Sequence, residues 1–407
     1  YRTTPYIVSI LNYIYNDESY EQIPYGKNKD ENMSFLPKVI ISSSPEEICM
    51  KIKQEYPKAL VLYLLNRERF YSIGAGKLYE AVQSMEKYGF GRKYGAVDIL
   101  SNYDEENPDN LFSLLFLCER IDVAYRCGLY GNVIRLIKNN KKILNVSKYT
   151  VKQHGDKKKV KELLENVMMQ YEDGEKSIAE FLIDIKEMDF VDDEYLDEII
   201  GEEDYSDVIG VSMEEFHNLV KYLEEPHIST QHGVKGESHD TVIFLAANSS
   251  RNPVVNMTKF FELWSSTEVN LSEFEKFYYE YKNLIQEISE VVGMKCTDMK
   301  SNEYNIYMND IYAKLKQFED KYSDNGYFNV LLQPNFTTYF SKKGVTKARE
   351  CLRENLVYGP LSAYRLFYVG CSRARKNLCV IINRKDVVGF ERRLRAKFEE
   401  CGFEVTM

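Results

Sequence analysis

A chain of 407 residues is longer than one average domain and predicts two or three units, each able to bury its own core. Its 44% apolar and 29% charged residues, with 32 Tyr and 21 Phe, exclude a solvating, disordered composition. A net charge of −10 argues against a protein that binds nucleic acid over its whole surface.

Residues 4 to 17 read as a helix and Lys38 to Ser43 as a short β-branched strand. Ser44-Pro45-Glu46-Glu47 is a helix start with Pro at the first position. Ala59 to Leu65 follows as an apolar strand, 75 to 88 as a helix and Tyr94 to Leu100 as a short strand. This alternation implies an α/β layer with buried strands. From Asn107-Pro108 to Glu225-Pro226 the pattern is wholly helical, over Leu111 to Tyr125, Asn132 to Lys138, Lys159 to Tyr171, Ile178 to Met188 and Met213 to Leu223. An inserted helical domain is predicted there, with loops at 154–159 and 201–204. Strands resume at His227 to Thr230 and Thr241 to Ala247. A second helical stretch carries Phe274, Phe277, Tyr281, Leu284 and Ile288 on one stripe and Ile311, Leu315 and Phe318 on another, which are core faces rather than a base-stacking platform. A helix over 358–370, a strand Asn377 to Ile382 and a helix over 387–400 close the chain, with no internal repeat.

The charge is uneven. Between Lys342 and Lys397 lie 15 Lys or Arg against Glu350, Glu354, Asp386 and Glu391, so a polyanion would meet this part first; solvated helix faces account for it equally well. Glu172 to Asp207 is strongly acidic, and the part around Asp189 to Asp207 is a solvated face or a docking surface for a partner protein. Eight cysteines show neither a CxxC pair nor metal-type spacing, which fits a reducing, cytoplasmic compartment. No apolar run nears the roughly 20 residues of a membrane helix, and no leader is recognisable, so a soluble protein is expected. The chain opens at Tyr1-Arg2 without Met, as a cut made inside a longer protein would.

Two segments carry chemistry. Ile228 to Glu237 (ISTQHGVKGE) is a strand ending in a loop, where Gly233 and Gly236 let the backbone approach a ligand and Thr230, His232 and Lys235 offer donors suited to phosphate oxygens. An ordinary polar loop fits the same residues. Tyr364 to Leu378 (YRLFYVGCSRARKNL) is a helix with an apolar face ending in a basic cluster ahead of a strand. An arginine held there by packed Leu366, Phe367 and Val369 could meet the growing charge of a phosphate under hydrolysis, while a capping or surface arginine is the plainer reading. Gly74-Ala75-Gly76-Lys77 and Gly89-Phe90-Gly91-Arg92-Lys93 read as turns, and His154, His217, His227 and His239 lack partners at metal spacing.

T-x-H-x-x-K-G ahead of a strand resembles motif V of UvrD/Rep-type superfamily 1 DNA helicases, and L-F-Y-V-x-x-S-R-A-R-K-x-L resembles their motif VI. The opening Tyr1 to Val8 is similar to motif IV, and Ala59 to Arg69 to the strand that follows it. These matches occupy some sixty residues in the family's order. The resemblance implies a RecA-like, three-layer α/β domain of the P-loop-NTPase type, the second motor domain of an ATP-dependent, 3′ to 5′ translocase on single-stranded DNA and duplex junctions. It implies that Tyr1 stacks on adenine, Arg2 reaches the γ-phosphate and Arg373 is the arginine finger, with Gly236 and Glu237 also at the nucleotide. Thr230, His232, Lys235 and Asn66 are implied on the DNA side. The family's K-G-L-E-F reads Lys235-Gly236-Glu237-Ser238-His239 here, so the acidic residue stands one place early, and motifs V and VI are unusually far apart.

The sequence contains neither G-x-x-x-x-G-K-[ST] nor D-E-x-x-Q. ATP phosphates and Mg²⁺ are therefore expected on a first motor domain of the same polypeptide, and this piece alone is expected to be inactive. The predicted domains are 1–106 and 227–407 for the motor, with a helical elaboration at about 252–345, and 107–226 for the inserted helical domain. The alternative is a non-catalytic, helicase-like interaction module that recruits a nuclease or repair partner through its acidic helices.

Overall fold

Continuous apolar runs, rather than alternating ones, mark strands covered on both faces, and the described residues hold three such strands and a fourth, Lys38–Ser42, whose positions alternate between buried and half-buried. A computed structural model describes residues 3–24, 33–89, 91–103, 107–224, 226–231, 238–250 and 254–406. In it these strands are β1 (Lys38–Ser42), β2 (Leu60–Tyr63), β4 (His239–Ala246) and β7 (Ala374–Asn383), joined by the short β3 (Ile228–Thr230) and β8 (Glu404–Thr406). Among the described residues these form one six-stranded sheet in the order β3-β2-β4-β7-β1-β8, with every ladder parallel. A hairpin of β5 (Asn248–Ser249) and β6 (Val255–Asn256) follows β4. No helix among the described residues is long and apolar enough to cross a membrane.

The chain divides into two compact units, Tyr1–Leu64 with His227–Met407, and Leu65–Pro226. The sequence pattern placed the first joint at 106/107 because it read a further strand over Tyr94 to Leu100. That segment is instead a helix, Ala96–Leu100. The Asp98 carboxylate accepts the Gly95 N–H at 2.8 Å and so caps the turn. Its buried residues, Ala96, Ile99 and Leu100, have the i, i+3, i+4 spacing of a helix face. Among the described residues between 65 and 106 there is no strand, and this stretch belongs to the helical unit.

In the first unit, helices Pro5–Tyr15, Pro45–Glu55, Met257–Trp264, Asn355–Cys371 and Glu391–Cys401 accompany the sheet. Helix Asn355–Cys371 lies close against it because residue 370 is glycine: a Cβ there would overlap the Phe244 ring of β4. The predicted elaboration consists of helices Leu271–Val292, Ser301–Tyr322, Gly326–Leu331, Gln333–Ser341 and Val345–Cys351. Both of its stripes are core, as their spacing predicts, with Phe274, Tyr281, Ile288, Ile311 and Leu315 all fully buried. Stacking of Phe274 on Tyr327 (centroids 4.8 Å apart) and a 2.6 Å bond from the Tyr281 hydroxyl to the Cys351 carbonyl tie these helices together.

The second unit is built on helix Asn110–Arg126, which is apolar nearly all round and fully buried from Leu111 through Cys118 apart from Ser113. Its N-cap, Asp109, is buried yet satisfied: its carboxylate accepts from Phe112 N at 3.0 Å, from the Tyr88 hydroxyl and from the Tyr205 hydroxyl at 2.9 Å, with Lys87 Nζ at 3.3 Å.

Replacing Gly370 with Ala is expected to cost about 1–3 kcal/mol through overpacking against Phe244. Denaturant unfolding measures this, and an unchanged midpoint would show that the ring moves aside freely.

Candidate functional site

Helix Asn355–Cys371 and strand β7 are separated only by Ser372 and Arg373. The helix buries Leu361, Tyr364, Phe367, Gly370 and Cys371, and β7 is central in the sheet, so neither end of this turn has room to shift. Arg373 is half-buried, and its backbone is fixed on both sides. Its N–H donates to the Gly370 carbonyl (3.2 Å), and its carbonyl accepts the His239 N–H (2.8 Å) at the start of β4. Its Nε donates to the Val369 carbonyl at 3.2 Å, which aligns the guanidinium along the last turn of the helix.

Two residues on, Arg375 collects three segments. Its Nε donates to Ser238 Oγ at 2.9 Å and its Nη2 to the Ser238 carbonyl at 2.7 Å, while Nη1 stands 3.6 Å from the Asp240 carboxylate. Its own carbonyl accepts the N–H of Thr4 at 2.9 Å. Lys376 adds a second cation, 3.4 Å from Asp240. Asn377, buried behind them, donates to Thr241 Oγ1 (2.9 Å) and accepts the N–H of Ser34 (2.8 Å). The opening segment, the segment that enters β4 and the basic cluster therefore meet at the amino ends of β4 and β7.

Thr230 lies elsewhere. It closes β3 in register with Tyr63 of β2, and Leu62 is in register with Phe244 of β4. Thr230 is thus level with Leu245, six residues from His239 and, at about 3.3 Å per residue, roughly 20 Å along the strands. The structure places Thr230 and Arg373 at opposite edges of the sheet. β3 ends at the carboxyl edge, whereas β4 begins at the amino edge. Gln231, buried at the end of β3, donates from Nε2 to the Leu245 carbonyl (2.9 Å) and from its backbone to Tyr63 (2.9 Å).

Beyond the carboxyl end of β4 opens a groove of mixed lining, 450 Å³ in volume, where Asn248, Asn256, Lys259 and Arg353 stand beside Val254 and Leu331. Lys259 is paired with Glu262 at 2.6 Å. Asn66 opens helix Asn66–Ser72 in the second unit and is half-buried. Tyr1, Arg2, His232, Lys235, Gly236 and Glu237 lie outside the described residues.

Arg375, Ser238, Asn377 and the groove residues had no role assigned from the sequence. Arg375 carried a signal, its place in the basic cluster, but its partner Ser238 is distant in sequence. Cysteine chemistry is absent from this edge: burial pushes the Cys379 thiol up to about 12 and the Cys371 thiol well above its ordinary value, so neither is a ready nucleophile. Seven of the eight cysteines are buried and Cys127 alone is exposed. Among the described residues no three His, Cys, Asp or Glu side chains gather as a metal site would require. No protein-family model matches the chain, and no curated protein matches it in sequence.

Arg375→Ala is expected to lower stability by about 1–3 kcal/mol, because the Ser238 acceptors lose their partner. Arg375→Lys restores only part of this, since an ammonium lacks the planar fork that meets both Ser238 oxygens. Equal unfolding midpoints for wild type and Arg375→Ala would show the contact to be idle.

Proposed function

We propose that the first unit is the second RecA-like motor domain of an ATP-driven, 3′ to 5′ translocase on single-stranded DNA, of the UvrD/Rep type. The observation that carries this reading is the convergence on Arg375 of the three segments that resemble motifs IV, V and VI. Thr4 and Ser238 are each hydrogen-bonded to Arg375, though all three are far apart in the sequence.

In this reading the amino edge of β4 and β7 faces the nucleotide. Phosphoryl transfer asks a protein mainly for positioning and for charge placed where it develops. Arg373 suits that role, because its backbone is locked by Gly370 and His239 and its Nε by Val369. Arg2 is assigned to the γ-phosphate, Tyr1 to the adenine, and Gly236 and Glu237 to the nucleotide on the same side. The carboxyl edge carries Thr230 and is assigned to the DNA strand, with His232 and Lys235; Asn66, in the second unit, is assigned to DNA separately. The stretch from Thr230 to His239 then links the two edges, so that closure on a nucleotide pulls on the grip. ATP phosphates and Mg²⁺ would be held by a first motor domain with its own phosphate-binding loop. When bound, Mg²⁺ neutralises charge on the phosphates.

DNA-stimulated ATP hydrolysis by the two-domain enzyme tests this. Arg373→Ala is expected to reduce kcat by about 10³–10⁵-fold with nucleotide affinity changed only a few-fold. The 407-residue chain alone is expected to show no turnover. Unchanged kcat in Arg373→Ala rejects the role of the finger, and an intact parent without turnover on any DNA rejects the motor.

A further inference from the structure

The helical unit carries a surface that the motor chemistry does not use. Residues 130–161 contain ten Lys or Arg and one acidic residue, Asp156, in a chain whose net charge is −10. Lys148 pairs with Asp189, Lys158 stands 3.8 Å from Glu162 and Lys161 3.5 Å from Glu165, whereas the other seven, Lys157 and Lys159 among them, form no ion pair among the described residues.

The same segment frames an apolar groove of 490 Å³, a size typical of sites that accept ligand side chains. Its floor is Val133, Val160 and Leu164, buried side chains of helices Tyr130–Asn139 and Asp156–Glu172. Tyr130, Ile134 and Val151 line it while 56%, 42% and 38% exposed, and Lys157 and Lys161 stand among its lining residues. A soluble surface rarely keeps so many apolar side chains together unless something covers them. The two aromatic residues of the lining, Tyr125 and Tyr130, pack edge to face on each other (centroids 5.6 Å apart) rather than as parallel platforms, and the rest of the floor is aliphatic, which suits apolar side chains better than stacked bases.

We propose that this groove docks an acidic amphipathic helix of a partner protein. Apolar side chains spaced i, i+3, i+4 and i+7 along that helix enter the groove, and Asp or Glu on its flanks face Lys157, Lys161 and the neighbouring cations. The proposal is independent of the motor reading. Its charge is opposite to that of the surface expected from the acidic helices between Asp189 and Asp207.

The test is fluorescence anisotropy of the full chain with a labelled peptide of about 18 residues, five turns of helix, carrying Leu and Ile on one face and Glu elsewhere. A peptide of the same composition with its apolar residues scattered around the helix is the control, and unlabelled single-stranded and duplex oligonucleotides are the competitors. The patterned peptide is expected to bind at least tenfold tighter than the scattered one. Ile134→Asp is expected to weaken it about tenfold or more, and Lys157→Glu with Lys161→Glu to weaken it and flatten its salt dependence. All three positions are exposed, so thermal unfolding should not change. Four outcomes would overturn the proposal: equal binding of the two peptides, full affinity in Ile134→Asp, displacement by an oligonucleotide through the same lysines, or self-association of the chain abolished by Ile134→Asp. The third would mark a nucleic-acid surface and the fourth a contact between copies.

Discussion

The pairing of β4 with β7 is the interaction on which the rest of the first unit hangs. Seven residue pairs join the two strands, from His239 opposite Ala374 to Ala246 opposite Ile382. β2 and β3 attach to the free side of β4, and β1 and β8 to the free side of β7. Parallel strands cannot be joined by a tight turn, so each connection must travel back along the sheet before the next strand begins. Residues that meet at one edge are consequently distant in sequence. The meeting of Thr4, Ser238 and Arg375 is a direct product of that constraint, and so is the separation of Thr230 from Arg373.

Much of this was legible beforehand, and the reasons differ from element to element. The apolar runs at Ala59 to Leu65, Thr241 to Ala247 and Asn377 to Ile382 read as buried strands because each is rich in β-branched or aromatic residues and too short for a buried helix. The stripes at Phe274 to Ile288 and Ile311 to Phe318 are long enough for the helical period to be unmistakable. Residues 94–100 were too short for that: over so few positions an i, i+3, i+4 face cannot be told from a strand, and the deciding feature is the local bond between Asp98 and Gly95. The first joint between units moved with that one segment. Leu366 and Phe367 announce a packed helix end with arginines beyond it, and only the resemblance to motif VI singled out Arg373 among them. Arg375 could not be picked out, because its role is set by Ser238, which no local pattern relates to it. Asn377 is a similar case, since its partners Thr241 and Ser34 arrive from two other elements.

The helical unit shows the same logic with charge instead of topology. Helix Asn110–Arg126 is apolar nearly all round over its first half, so that half becomes the axis around which the unit packs. A carboxylate at its start can be buried only because Phe112 N, Tyr88, Tyr205 and Lys87 all reach Asp109. The cations that do not find such partners remain on the surface, and between Tyr130 and Lys161 they gather around exposed Ile134 and Val151. A core that consumes its own polar groups leaves the outside to carry recognition.

The burial of seven cysteines has a practical side. Cys127 lies just past the end of helix Asn110–Arg126, in the second unit, and next to residues 129–134 that border the apolar groove. A thiol-reactive dye would therefore attach at one place without any cysteine having to be removed. The unaltered chain supplies its own attachment point for a fluorophore whose brightness and tumbling report on what happens around that groove, and, with a second dye on a DNA end, on how far the helical unit stands from the strand.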